Sequence, residues 1–297
     1  MSRAPRPLAG HVVAITGAAR GIGRATAQAC VGEGMLVAIG DLDLAAAQRT
    51  ASELGHGTIA IELDVCDRAS VARFLDEAEA RLGPLDVLVN NAGIMQLGRL
   101  VDEDDATARR QVDINVHGVL HGMKEALPRM LARSTGHLVN IASTAGKAGF
   151  AGGATYSGTK HFVTGVSEAA RFELRGSGVE ISCIMPGIVK TELAAGLPEP
   201  RFVKHTEPGE VASAIVGVLR VPRFDVFVPR SLGPLMRAAG MLPRPAREGL
   251  ARALKADRVL DLPDGRVRSA YELRAARSRP ELPDGADPTP LPAPPEP

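Results

Sequence analysis

Residues 12–41 carry the sequence VVAITGAARGIGRATAQACVGEGMLVAIGD, and this stretch decides the fold. The apolar run 12–15 predicts a buried strand, and the Ala-rich segment 22–31 predicts a helix that follows a Gly-rich turn. A second apolar run at 35–39 predicts the next strand. Because a helical crossover brings the chain back to start the second strand in the same direction, the stretch predicts a parallel βαβ unit.

Strand and helix patterns keep alternating beyond this unit. Further strands are predicted at 58–63, 85–89, 137–141, 179–185 and 225–229. A helix that ends at 54 is predicted between the second and third strands, and later helices are predicted at 69–82, 104–131, 155–175 and 208–219. Strands that alternate with helices form a parallel sheet that is covered on both faces. We therefore predict an α/β protein with a single-domain Rossmann fold, whose doubly wound parallel sheet has about seven strands and helices on both faces.

Bulk composition excludes several classes of function. A formal net charge of +1 over 297 residues and an aromatic content of 3% argue against nucleic-acid binding. The widely spaced Cys30, Cys66 and Cys183 predict buried thiols rather than a disulfide framework or a metal site. No apolar run approaches the roughly eighteen residues of a membrane-spanning helix, so we expect a cytoplasmic protein, with peripheral membrane contact left open.

The turn at 16–23, with the sequence TGAARGIG, is typical of a loop that binds the pyrophosphate of a dinucleotide. Amides at the start of the following helix can bind the phosphates, and glycine is needed because a Cβ would block their approach. Any tight strand-to-helix turn can use glycine. The position of this one inside a βαβ unit favours the phosphate site.

Asp41 ends the second predicted strand and bears on the choice of dinucleotide. A carboxylate at this position accepts hydrogen bonds from the adenosine ribose hydroxyls and repels a 2′-phosphate, which favours NAD. Arg20 in the loop would instead attract that phosphate. The sequence therefore favours NAD and leaves NADP possible.

Six motifs together resemble the short-chain dehydrogenase/reductase family, of the Tyr-x3-Lys type, over residues 10–230. They occur in the family's order and spacing: the Gly-rich loop, Asn90-Asn91-Ala92-Gly93 after the fourth strand, Asn115, Ser143 after the fifth strand, Tyr156-x3-Lys160, and Pro186-Gly187 after the sixth strand. Asn91 stands where many members of the family have Ala. It is a common variant there.

The resemblance implies that Asn115, Ser143, Tyr156 and Lys160 form the catalytic group. Ser143 would hydrogen-bond the substrate oxygen, Tyr156 would exchange a proton with it, and Lys160 would hold the nicotinamide ribose and tune Tyr156. Asn115 would anchor a water that relays protons to solvent. Independently of the resemblance, Tyr156 and Lys160 are one helical turn apart, so their side chains point the same way. We expect the ammonium to lower the tyrosine pKa from about 10.

The resemblance also implies a set of cofactor contacts. It comprises Gly17, Ala19, Arg20, Gly21, Ile22 and Gly23 in the loop; Asp41, Asp64 and Val65 beside the adenosine; Asn91, Ala92 and Gly93 after the fourth strand; Tyr156 and Lys160; and Pro186, Gly187, Ile188, Val189 and Thr191 near the nicotinamide. Asp64 would accept a hydrogen bond from the adenine amino group.

Composition divides the chain outside the alternating pattern. We predict an N-terminal tail at 1–9, a Rossmann-fold catalytic domain at 10–230, a basic helical extension at 231–278 and a Pro-rich disordered tail at 279–297. Eleven Lys or Arg and five acidic residues lie between 231 and 280. That excess is compatible with solvated surface helices, with a lid over the substrate site or with a patch that faces an anionic membrane.

The segments around the predicted site are apolar or small. They include Leu193, Leu197, Phe202 and Val203 in the substrate loop of 192–206, and Ala145, Ala148, Gly149, Phe150 and Ala151 after Ser143. Such a lining predicts a lipophilic alcohol or ketone as substrate.

The sequence as a whole predicts an oxidoreductase that transfers a hydride between NAD(H) and the CH–OH or C=O group of this substrate. The alternatives are an NADPH-dependent carbonyl reductase and a catalytically silent dinucleotide sensor, which the intact Tyr156 and Lys160 pair disfavours. From the resemblance of the helices at 104–131 and 155–175 to those that pair in the family, we expect a homodimer or homotetramer.

Overall fold

The computed structural model describes residues 4–195, 205–253 and 265–276. Its sheet has the strand order β3-β2-β1-β4-β5-β6-β7, and all six pairings are parallel. The strands are β1 (Val12–Thr16), β2 (Leu36–Asp41), β3 (Ile59–Glu62), β4 (Leu85–Asn90), β5 (Gly136–Ile141), β6 (Val179–Pro186) and β7 (Asp225–Val228). The predicted doubly wound α/β sheet is confirmed.

Ten α-helices accompany these strands in the described part of the chain. They are α1 (Gly21–Gly32), α2 (Leu44–Leu54), α3 (Arg68–Leu82), α4 (Asp105–Val112), α5 (Gly118–Ala132), α6 (Ala154–Glu173), α7 (Pro208–Arg220), α8 (Leu232–Met241), α9 (Arg244–Ala253) and α10 (Gly265–Ala276). Apart from the one predicted over 104–131, each predicted helix of the alternating pattern is present, with its ends shifted by a few residues at most.

Two apolar cores lie on opposite faces of the sheet. Residues of α1, α2 and α7 cover one face, and residues of α3, α5 and α6 cover the other. Side chains of β1 alternate between them, because Val13 and Ile15 join the first core and Ala14 joins the second. Both faces are thus buried, which is why the strands of the sequence are continuous apolar runs.

The sequence predicts one uninterrupted helix over 104–131, and the structure corrects this. A single π-helical turn, Asp113–His117, separates α4 from α5, and the Gly118 amide donates to the Asp113 carbonyl across this wider turn. The turn contains the fully buried Asn115. Single π turns within a helix often occur at functional sites, where they redirect a side chain.

The polypeptide after β7 returns to the main body. Leu232 at the start of α8, and Tyr271 and Ala275 in α10, belong to the same core as α3, α5 and α6. Arg268, counted above in the basic extension, is 5% exposed. The predicted disordered tail at 279–297 lies outside the described residues.

In the described part of the chain, no helix combines the length and apolarity needed to cross a bilayer.

His137 on β5 makes folding sensitive to acid. Its Nε2 lies 2.8 Å from the Ser182 Oγ, which donates its own hydrogen to the Arg223 carbonyl, so Nε2 must be the donor. Nδ1 has no partner among the described residues, and burial lowers the pKa of His137 to about 4. Between pH 6.5 and pH 4 the unfolded chain therefore binds more protons than the folded one. We expect a loss of about 3 kcal/mol of unfolding free energy over this window.

Urea unfolding at pH 7.0, 5.5 and 4.5 measures this effect. In a His137→Asn variant, the loss of unfolding free energy between pH 6.5 and pH 4 should be smaller by about 3 kcal/mol than in the natural protein. The variant should also be less stable at pH 7. The control is His56→Asn, which changes an exposed histidine and should keep the slope of the natural protein. Equal slopes for the His137 variant and the natural protein would contradict the assignment.

Candidate active site

The Gly-rich loop lies in the crevice between β1 and β4, where the strand order reverses. The Thr16 hydroxyl oxygen accepts hydrogen bonds from the Asn91 and Ala92 amides at 3.0 and 2.9 Å. In return, the Asn91 side-chain amide donates to the carbonyls of Thr16 and Gly17, each at 2.9 Å. Asn91 therefore fastens the loop after β4 to the phosphate loop. The role of Thr16 was missed, since nothing in its sequence position marks it.

Two glycines of the loop are required by its geometry. Gly17 has a φ of +63°, and a Cβ on it would lie 2.8 Å from the Cα of Ala92. A Cβ on Gly23 would lie 2.4 Å from the Gly17 carbonyl oxygen and 2.6 Å from the Asn91 side-chain nitrogen. Replacing either glycine with a residue that carries a Cβ would therefore force the neighbouring backbone segments apart.

The start of α1 is open to an anion. Arg20 is the N-cap residue but makes no side-chain cap, and among the described residues no other side chain binds the first amides of the helix. Thr191 from the segment after β6 lies beside this end, with its Cγ2 3.4 Å from the place of a Cβ on Gly21. Bare helix amides together with the cradle formed by glycine fit the pyrophosphate of a dinucleotide.

Acidic groups surround the end of β2. Asp41 accepts hydrogen bonds from the amides of Ala19 and Asp43, at 3.0 and 3.1 Å. Arg20, the possible phosphate ligand, forms an ion pair with Asp43. The amide of Ala46 and then this arginine lower the pKa of Asp43. The charge of Arg20 is therefore balanced by a neighbouring carboxylate, and Asp41 has no cation of the loop as its partner in the described structure.

The other predicted cofactor contacts lie at the same edge of the sheet. Asp64 and Val65 follow β3, and the Asp64 carboxylate accepts a hydrogen bond from the Cys66 amide at 2.8 Å. Gly187 follows β6 and donates its amide to the Val228 carbonyl at 2.8 Å. Because carboxyl ends of parallel strands meet at one edge, the topology brings all these segments to the crevice. Ala92 and Gly93 after β4, Pro186 at the end of β6, and Ile188 and Val189 after it occupy that edge as well.

Ser143 and Tyr156 form the centre of the second predicted group. Ser143 caps a short 3₁₀ turn, where its hydroxyl accepts a hydrogen bond from the Ala145 amide at 3.1 Å. Tyr156 lies in the first turn of α6 and is 7% exposed; burial raises its pKa, while the neighbouring Ser143 side chain acts to lower it. A substrate oxygen placed between these two hydroxyls could bond both.

Lys160 lies one turn after Tyr156 and points the same way. Its ammonium nitrogen is 5.8 Å from the centroid of the tyrosine ring and donates a hydrogen bond to the Ile141 carbonyl at 2.9 Å. The expected lowering of the tyrosine pKa is wrong for this arrangement. Burial raises the pKa of Tyr156 to about 12 and lowers the pKa of Lys160 to about 8. Desolvation is the largest cause of both shifts because both side chains are almost completely buried.

Asn115 uses its whole side chain to fix the loop after β4. Its Oδ1 accepts from the Ile94 amide and its Nδ2 donates to the Ile94 carbonyl, both at 2.9 Å. The same Nδ2 donates to the Thr159 hydroxyl at 3.1 Å, and that hydroxyl donates to the Tyr156 carbonyl. Both Nδ2 hydrogens are therefore used, whereas Oδ1 accepts one hydrogen bond and has a second acceptor position.

An apolar wall surrounds the Tyr156 side chain. It is formed by Met95, Leu97, Ala145, Phe150 and Leu193, which come from the loops after β4, β5 and β6. Ala148, Gly149 and Ala151, which were predicted to line the pocket, are exposed. Leu197, Phe202 and Val203 lie outside the described residues.

Comparison with known proteins identifies one family and several related dehydrogenases. The chain matches the model of the short chain dehydrogenase family over residues 11–201. It is 41% identical over 186 residues to a sorbitol dehydrogenase of Cereibacter sphaeroides, covering 62% of this chain and 73% of that enzyme. It is 34% identical over 213 residues to a 3-alpha-(or 20-beta)-hydroxysteroid dehydrogenase of Mycobacterium tuberculosis, covering 70% and 82%.

Two further proteins extend the comparison. Glycine betaine reductase ATRR of Emericella nidulans is 35% identical over 228 residues, but this match spans 73% of the chain and only 18% of that longer protein. Among solved structures, a short chain dehydrogenase/reductase from Burkholderia phymatum in complex with NAD superposes with a TM-score of 0.73. That structure is 27% identical, and the match covers 79% of this chain and 94% of that one.

Proposed function

This chain belongs to the short chain dehydrogenase family and is an oxidoreductase. We propose that it transfers a hydride between NAD(H) and the CH–OH or C=O group of a lipophilic alcohol or ketone, with Tyr156 as the acid/base. The observation that carries this proposal is the meeting of Ser143, Tyr156 and Lys160 inside an apolar wall, at the sheet edge that holds the phosphate loop.

The bound nicotinamide would supply the hydride or accept it. The residues of the chain would manage the proton and the geometry. Ser143 would hold the substrate oxygen, and the hydroxyl of Tyr156 would give that oxygen a proton during reduction and take one during oxidation. Lys160 would bind the nicotinamide ribose, and its charge would favour the tyrosinate needed for oxidation. Asn115 would anchor the water that returns protons to solvent.

NAD is the proposed cofactor because the end of β2 is acidic. Asp41 would accept from the ribose hydroxyls, and Arg20 is already paired with Asp43. A 2′-phosphate would therefore meet a carboxylate and an arginine whose charge is balanced. The solved structure from Burkholderia phymatum, which contains NAD, supports the same choice.

Asp41→Ala should improve NADPH binding by about tenfold, since it removes a negative charge facing the 2′-phosphate. NADH binding should weaken, because the ribose hydroxyls lose their acceptor. Fluorescence titration of the natural protein and the variant with both nucleotides measures this change.

Glu168→Gln, which makes the same change of net charge at an exposed site on α6, is the control and should leave both affinities unchanged. Unchanged NADPH affinity in the Asp41 variant would contradict the proposed selection. Tighter NADPH than NADH binding by the natural protein would favour the alternative of an NADPH-dependent carbonyl reductase.

A lipophilic substrate is proposed from the apolar side chains that pack around Tyr156, namely Met95, Leu97, Ala145, Phe150 and Leu193. The similarity to a hydroxysteroid dehydrogenase supports a bulky secondary alcohol. Turnover of cyclic secondary alcohols with NAD, compared with polyols such as sorbitol, tests this proposal. A clear preference for polyols would overturn it.

We also propose a homodimer or homotetramer built on the long helices. Leu131 near the end of α5, and Phe162 and Phe172 on α6, are 43%, 37% and 57% exposed, so these two helices present large apolar side chains that a second copy could cover. Light scattering after gel filtration measures the assembly state. A monomer at micromolar concentration would contradict this part of the proposal.

A further inference from the structure

Helix α10 lies over the proposed substrate pocket and contacts it through two buried side chains. Arg268 and Tyr271 are 5% and 8% exposed, and the guanidinium carbon of Arg268 lies 5.0 Å from the centroid of the Tyr271 ring. Tyr156 and Tyr271 are the only tyrosines in the sequence. Both are buried at this pocket; burial raises the pKa of Tyr271, and the proximity of Tyr156 adds to this effect.

The first contact of α10 is with Met95, which belongs to the apolar wall. The Met95 amide donates to the Tyr271 hydroxyl at 2.7 Å, and the Met95 carbonyl accepts from the guanidinium of Arg268. Asn115 binds both polar backbone groups of the preceding residue, Ile94. The loop after β4 is thus held from one side by Asn115 in the π turn and from the other side by α10.

The second contact of α10 is with the segment after β6. Arg268 donates to the carbonyls of Leu193 and Ala195 at 3.0 and 3.1 Å, and its Nε donates to Glu272 at 2.6 Å. A buried guanidinium is retained only when its charge and its donors are satisfied. Here one carboxylate balances the charge, and carbonyls of two pocket loops take the remaining contacts.

We propose that Arg268 and Tyr271 are positioning residues that close the substrate pocket by holding the Met95 loop against the Leu193 segment. They thereby set the size of the alcohol or ketone that reaches Tyr156. This inference rests on the proposed function for its catalytic consequence, but the closure itself is a property of the fold. Of the three roles that the sequence left open for the basic extension, the proposal favours that of a lid over the substrate site.

Two substitutions separate the contacts. Tyr271→Phe removes one oxygen and leaves the buried Met95 amide without its acceptor, whereas Arg268→Met removes the guanidinium contacts to both loops and keeps an apolar stem. The Tyr271–Met95 hydrogen bond and the ion pair between Arg274 and Glu192 remain in the arginine variant. Arg268→Lys should restore part of the function, because an ammonium can bind one or two of the carbonyls but not bridge all three. Arg237→Met, at an exposed arginine of α8, is the matched control.

Amide hydrogen exchange and steady-state kinetics are measured on the full-length protein. We expect exchange at Met95 to accelerate by about tenfold or more in Tyr271→Phe, with strands β1 and β4 unchanged. In Arg268→Met, the KM for a cyclic secondary alcohol should rise by about tenfold, kcat should change less, and the Kd for NADH should stay the same. In the same variant, the ratio of kcat/KM for bulky alcohols to kcat/KM for small alcohols should rise.

These experiments distinguish a failure of the inference about α10 from a failure of the proposed function. Unchanged Met95 exchange in Tyr271→Phe, or an unchanged KM and size preference in Arg268→Met, would overturn the inference, as would an equal effect of Arg237→Met. If Arg268→Met does not fold, the exchange measurement on Tyr271→Phe decides. If the natural protein oxidises no alcohol, the proposed function fails, and the exchange at Met95 still decides whether α10 holds the loop.

Discussion

Replacing Tyr156 with Phe should lower turnover by about a thousandfold, while the affinity for NADH stays within about twofold of the natural value. The change removes the only atom proposed to exchange a proton with the substrate. The ring remains to pack against Phe150, at a centroid distance of 6.4 Å, so the fold should be retained. Turnover of a cyclic secondary alcohol and NADH fluorescence titration measure the two quantities.

The matched control for this variant is Tyr271→Phe. It removes the same atom from the other tyrosine of the pocket, and it should raise KM without a comparable loss of kcat. A Tyr156→Phe protein that keeps more than about a tenth of its turnover would contradict the proposed mechanism. A parallel loss of NADH binding would mean that the tyrosine hydroxyl is needed for the cofactor site itself.

Much of the fold could be predicted because the local signals agree with one another. The apolar runs of β1 and β2, the Gly-rich turn and the start of α1 each have a local cause in the sequence. The π turn at Asn115 could not be predicted, because a π turn and an α turn draw on the same residue types. Its signal exists only in the packing, where Asn115 has to reach both backbone groups of Ile94.

In the candidate site, too, some features have a local signal in the sequence and others depend on tertiary packing. Tyr156 and Lys160 could be placed from their spacing, but their pKa values depend on burial, which spacing does not reveal. The direction of the tyrosine shift was therefore predicted incorrectly. Arg268 was counted as one charge in a basic segment, because its contact with Met95 joins residues 173 positions apart. Contacts of this range follow from the tertiary fold and leave no pattern in the sequence.

Lys160→Met should have opposite effects on activity and on stability. Turnover should fall by about a hundredfold or more, since the variant loses both the charge that favours the tyrosinate and a ligand of the ribose. The folded protein should nevertheless be as stable as the natural one, or more stable by about 1–2 kcal/mol at pH 7. Met keeps most of the volume of the lysine stem, and the cost of a buried ammonium disappears.

The stability effect follows from the sign of the pKa shift. Burial lowers the pKa of Lys160 to about 8, below its ordinary value of 10.5, so the folded state binds fewer protons than the unfolded state between these values. The contribution of Lys160 to the unfolding free energy is therefore most unfavourable below pH 8 and improves as the pH rises to 10.5. Removing it should abolish this part of the pH dependence.

Urea unfolding at pH 7 and pH 10, together with turnover at pH 7 to 10, checks both halves of the prediction. Lys124→Met, at an exposed position of α5, is the control and should change neither the slope nor the turnover. A Lys160→Met protein that is destabilised by more than about 2 kcal/mol at pH 7 would show that the hydrogen bond to the Ile141 carbonyl outweighs the burial of the charge. Stability gained while turnover is lost would instead mark Lys160 as a residue that the fold retains at a cost, for its chemistry rather than for its packing.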